Sequence, residues 1–265
     1  MSSSHSSIIR RLGAGAALLA IGLLVAACSE ESPKEQAKEP AKTATESAAT
    51  TETQPAASME TKTAEAPATA AKPAADVKVP EPDGSVDVAA LMAPGPLEDI
   101  SIGKADAPVT IIEYMSMTCP HCANFHEKTF DAIKAKYVDT GRVRFILREF
   151  PLDLKATAAI MLARCAPKEQ YFPLVAVLFK QQMTWAVAED TRGALLQTAK
   201  LAGFTQESFN ACLTNQKLLD DVTAVRTKAD KDFGVQSTPT FFINGNRYAG
   251  GMSVEEMSAV IDAVK

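Results

Sequence analysis

The chain predicts an α/β fold in which a β-α-β unit, a block of helices and a β-β-α unit follow one another, and three observations predict it. An apolar, β-branched run from Ala107 to Met115 leads into a helical pattern, and a second, alternating run follows from Arg142 to Phe150. A pair of short strand patterns around Asn244 and Gly245 precedes a last helix. Between the two halves, residues 152–233 read as helices in succession.

The first run, APVTIIEYM, is apolar on both alternation faces, which suits a central strand covered on both sides, with Glu113 the exception. Pro120 then stands at the first helical position, where a missing N–H costs nothing, and CANFHEKTFDAIKAKYV keeps helical spacing up to Gly141. In RVRFILREF, Val143, Phe145 and Leu147 share one face and Arg144 and Arg148 the other, as in a second strand. Within the helical block Pro167 and Pro173 punctuate, Asp190 or Thr191 can cap a helix, and Gly203 and Gly234 suit helix ends. Thr240 to Ile243 and Arg247 to Ala249 read as a hairpin turning at Asn244-Gly245 or Gly245-Asn246. Ser253 can cap the final helix, with Glu256 completing a capping box.

The part ahead of residue 94 has a different character. Arg10 and Arg11 precede an apolar run from Leu12 to Cys28, shorter than the ~20 residues that span a bilayer comfortably, so residues 1–27 read as a secretory signal. Leu24-Val25-Ala26-Ala27-Cys28 resembles a bacterial lipobox, which implies that Cys28 is lipidated and anchors the protein on a membrane facing an oxidising compartment. Residues 28–93 then read as a disordered tether, because Ala, Thr, Glu, Lys, Pro and Ser supply too little apolar surface to offset ordering entropy. The low-complexity part of it, Ser29 to about Pro82, has about 55 residues and a coil-like reach of roughly 40 Å. The net charge of −5, with no Lys/Arg patch interleaved with aromatics, excludes a nucleic-acid partner.

Residues 116–130, SMTCPHCANFHEKTF, hold the chemistry. Cys119 and Cys122 are three apart at a helix start, so both sulfurs lie on one face of the first turn, within reach of a disulfide. The helix N-terminus favours a thiolate at Cys119, and His121 between them favours it further. A metal is the competing reading: Cys119, Cys122 and His126 form one helical stripe of ligand types, but no second CxxC or HxxxH completes four ligands, and the remaining histidine, His5, lies in the signal. On that reading the protein is a metal-binding envelope lipoprotein. Apart from it, no metal is expected, and His126 is expected to be a partly exposed polar residue on the active-site helix.

VTIIEYMSMTCPHC and the later TPTFFING resemble the active site and proline loop of the DsbA family of thiol:disulfide oxidoreductases, over roughly Ile102 to Val264. The resemblance implies a thioredoxin fold with an inserted helical domain at about 152–233, residues 94–265 forming one domain. Cys119 would be the exposed nucleophile and Cys122 the buried partner that resolves the mixed disulfide, with Pro120 and His121 as the dipeptide of strongly oxidising members. Pro239 would be the cis-proline beside the disulfide, with Thr238 before it, pairing with a substrate peptide. Glu113 matches an acid beneath the active site that moves a proton to or from the buried cysteine; unpaired and buried, such a carboxylate is costly to ionise.

The resemblance further implies a dithiol oxidase needing no cofactor, acting on exported proteins with reduced cysteines and reoxidised by a DsbB-like, quinone-linked membrane partner. A disulfide reductase or isomerase is the alternative; dedicated isomerases of this fold usually carry a dimerisation domain, so a monomer is expected. With Cys28 lipidated and Cys119 paired to Cys122, Cys165 and Cys212 remain as an even pair in an oxidising compartment, expected to form a structural disulfide rather than two separate buried thiols.

Overall fold

The computed structural model describes residues 78–264. The expectations for the signal, for Cys28 and for the tether up to residue 77 lie outside the described residues. In chain order a short strand β1 (Gly84–Ser85), helix α1 (Val88–Met92) and strand β2 (Ile100–Ile102) precede β3 (Val109–Met115). Helix α2 (Pro120–Lys128), helix α3 (Phe130–Ile133) and a π-helical turn (Lys134–Val138) lead to β4 (Val143–Glu149). The helical block comprises α4 (Leu154–Cys165), α5 (Tyr171–Lys180), α6 (Gln182–Trp185), α7 (Thr191–Lys200), α8 (Gln206–Leu213) and α9 (Gln216–Phe233). The hairpin β5 (Thr240–Ile243) and β6 (Asn246–Ala249) and helix α10 (Val254–Ala263) close the chain.

The strands form one sheet in the order β1-β6-β5-β3-β4-β2, with β3 and β4 parallel and the other pairs antiparallel. Because side chains alternate across a sheet, β3 and its neighbours feed two apolar clusters. Ile111, Met115, Phe145, Leu147, Phe241 and Ile243 pack with α2 and the helical block, whereas Ile112, Tyr114, Ile146 and Phe242 pack with Leu91 of α1 and with Val225, Ala229 and Phe233 of α9. The central strand is thus covered on both sides, as its composition predicted.

Of the two hairpin turns compatible with the sequence, Asn244-Gly245 is the one formed: both residues have positive φ, 46° and 87°, which a two-residue turn of this hand requires. The Asn244 side chain holds the turn against β3 by accepting from Thr110 N–H at 2.7 Å. The capping box at Ser253 and Glu256 is present, Asp190 caps α7, and Gly234 ends α9 in the left-handed conformation.

Two expectations are corrected. The tether does not continue to residue 93, because β1 pairs with β6, Asp83 bonds Arg247 at 2.7 Å, and Leu91 is buried in the second cluster. A two-residue strand and a five-residue helix are too short for periodicity to register them. The helix after Pro120 is not continuous to Gly141 either; it breaks at Thr129, whose buried hydroxyl donates to the Met252 carbonyl at 3.0 Å. Among the described residues no helix is long and apolar enough to cross a membrane.

Candidate active site

The site lies where β3 ends and α2 begins. Cys119 is the N-cap of α2 and Pro120 its first residue, so the Cys119 sulfur accepts from the Cys122 backbone N–H at 3.4 Å, in the place an N-cap oxygen would take. Strand β5 runs beside β3 and places its preceding residues over the sulfurs: the Thr238–Pro239 peptide is cis, and the Thr238 carbonyl accepts from Cys119 Sγ at 3.1 Å. From the other side α6 reaches in through Gln182, whose amide donates to the carbonyls of Met117 and Cys119 at 2.8 and 3.0 Å.

The two thiols occupy opposite environments. Cys119 is lowered from the usual thiol value to about 5, first by the Cys122 thiol, which donates to it; burial opposes this, and the Thr238 hydroxyl and the backbone N–H groups of Cys122 and His121 add to it. The Thr238 hydroxyl is buried without a hydrogen-bond partner. Cys122 is pushed far up, first by burial, then by the Cys119 sulfur and by the negative charge of Glu113.

Three details differ from expectation. Cys119 is only 4% exposed rather than open, because the proline loop and α6 both lie against it. His121 is exposed and acts on Cys119 through its backbone N–H, not its imidazole. His126 is buried, and its Nε2 lies 2.9 Å from Oε2 of Glu113, so the carboxylate is not unpaired. The physical reason is helical spacing: Cys122 and His126 are four apart, so the face of α2 that buries one buries the other against β3. Phe125, Phe130 and Phe179 surround the imidazole at ring separations of 5.4, 4.9 and 4.6 Å. Among the described residues no three His, Cys, Asp or Glu side chains converge as a metal site would need. Cys165 and Cys212 are joined by a disulfide that ties α4 to α8.

Sequence reasoning missed Gln182, and it missed the exposed Leu154, Met183 and Val187, which line an open groove of about 640 Å³ beside Thr118 and Pro120. Apolar residues in a helical block read as core, and only the fold shows which of them face outward.

The sequence description of the thioredoxin family matches residues 97–263. The crystal structure of alpha-DsbA1 from Wolbachia pipientis is 34% identical, has a TM-score of 0.61, and covers 66% of this chain and 94% of its own. This chain belongs to the thioredoxin family, as a DsbA-like member. Its DsbA-like fold is shared by oxidised BdbD from Bacillus subtilis, at 22% identity and a TM-score of 0.56 over 62% of this chain and 91% of that one. A Rickettsia bellii protein provisionally named a protein-disulfide oxidoreductase is 36% identical over 168 residues, 62% of this chain and 63% of that relative. The DsbA-like match thus spans less than two thirds of that relative's length.

Proposed function

We propose that this DsbA-like protein is a thiol:disulfide oxidoreductase that works as a dithiol oxidase on exported proteins with reduced cysteines. The asymmetry between its two thiols supports this reading above all. A Cys119 held to about 5 makes the reduced form comfortable, which weakens the Cys119–Cys122 disulfide and makes it an oxidant. In the forward reaction a substrate thiolate attacks Cys119 Sγ, the Cys119–Cys122 bond breaks, and Cys122 takes a proton. The substrate's second thiolate then attacks the substrate sulfur of the mixed disulfide, releasing Cys119 as a thiolate. Two substrate thiols become one disulfide while the enzyme disulfide becomes a dithiol, so no cofactor enters.

The apolar groove beside Pro120 suits an extended, unfolded chain, and the backbone around Thr238 and the cis Pro239 suits pairing with it. Glu113 delivers and recovers the Cys122 proton. Reoxidation falls to a DsbB-like membrane partner, and lipidation at Cys28 holds the protein on the periplasmic side of a membrane as a monomer. The test is to mix the disulfide form with a reduced, unfolded protein and count thiols. The expected result is loss of two substrate thiols per enzyme disulfide reduced, abolished in Cys119→Ser. Substrate thiols left intact, or a fully active Cys119→Ser variant, would overturn it.

A further inference from the structure

Each cycle of the cysteine pair must move a proton inside the protein, and the present inference rests on the oxidoreductase reading above. Cys122 is 0% exposed, and its negative form is strongly disfavoured there. Glu113, which influences Cys122, is 0% exposed as well, so it cannot exchange protons with water directly. Of its two oxygens, Oε2 meets His126 Nε2 and Oε1 has no partner.

The other buried charges on this side of the sheet account for one another. Glu149 accepts from Arg164 and from the Tyr171 hydroxyl, and the remaining hydrogen bond of Arg164 goes to the Glu98 carbonyl. Among the described residues, His126 is therefore the one basic group left to Glu113. Its side chain keeps 4% exposure where that of Glu113 has none, and the rings of Phe125, Phe130 and Phe179 hold its plane against the carboxylate.

We propose that His126 is the relay through which Glu113 exchanges protons with solvent. When the substrate thiolate displaces Cys122, the leaving sulfur takes a proton from the Glu113 carboxyl, and the carboxylate so formed takes one from His126 Nε2 in the same movement. The imidazole regains its proton from water through the 4% of its side chain that stays accessible. On reoxidation the same protons run outward. His126 touches no reacting atom; it is a positioning residue that acts through Glu113.

The test is the rate at which dithiothreitol reduces the Cys119–Cys122 disulfide, in full-length parent, His126→Gln, Glu113→Gln and the double variant. The amide introduced by His126→Gln can still donate to Glu113 but cannot carry a proton. The relay therefore predicts a loss on the order of tenfold or more in His126→Gln. It predicts a similar loss in Glu113→Gln and no further loss in the double variant, because both lie on one path. His126→Gln at the parent rate, or losses that multiply, would overturn it. Should His126→Gln not fold, the parent decides: its rate in H2O/D2O mixtures should follow a curve, as for two protons moving together, and a straight line would overturn the relay. A parent whose Cys119–Cys122 disulfide is reduced no faster than its Cys165–Cys212 disulfide overturns the oxidoreductase reading itself, and the relay with it.

Discussion

Cys119 and Cys122 share one helical turn, yet donors surround the first sulfur and burial seals the second. The consequence is measurable as a titration. The thiolate absorbance of the reduced protein should rise with a midpoint at about pH 5, and alkylation at pH 7 should label Cys119 and leave Cys122 unmodified. The sign for stability follows from linkage. The folded value of Cys119 lies below the usual thiol value of 9.0, so the stabilisation it lends the reduced form is complete near pH 9 and fades as pH falls to about 5. Urea unfolding of the reduced form should therefore shift to higher denaturant, relative to the oxidised form, as pH rises from 5 to 8; a constant difference would contradict the assignment. At this scale much was legible. A CxxC at a helix start, a Thr-Pro before a strand and a lone Glu in an apolar strand each violate the local pattern, so each stands out. His126 was not legible as a buried residue, because a four-residue spacing says which residues share a face but not which face is covered.

Among the elements, α6 has four residues yet ties the helical block to the active-site loop through Gln182. Gln182→Ala leaves two carbonyls without that donor and should cost about 1–3 kcal/mol in urea unfolding. The Cys165–Cys212 bond closes a loop of 47 residues, and loop-closure entropy alone gives it roughly 4 kcal/mol. A Cys165→Ala/Cys212→Ala variant should unfold that much more easily, less whatever strain it relieves, while Cys119 titrates as before. The block's extent, its caps at Asp190 and Gly234 and the final capping box were visible as punctuation. The groove was not, since which apolar side chains stay outside depends on how α4 and α6 meet the β3–α2 turn.

At the level of the whole molecule, the order β-α-β, helices, β-β-α was readable because each long element carries its own period. The sheet's two edges were not. Strand β1 and helix α1 gain stability from pairing with β6, from the Asp83–Arg247 bond and from Leu91 packing beneath α9, all contacts distant in sequence. A protein lacking residues 1–77 should keep the melting temperature of the full chain, whereas one lacking residues 1–93 should melt lower, with the edge of β6 uncovered. Equal melting of the two would mean that this segment adds nothing to the fold. The central claim, that electrons flow from substrate thiols into the Cys119–Cys122 pair, is tested most directly by the reduction potential of that pair at equilibrium with glutathione. An oxidase predicts a value near about −120 mV; one near about −270 mV, the range of a reductase, would contradict it.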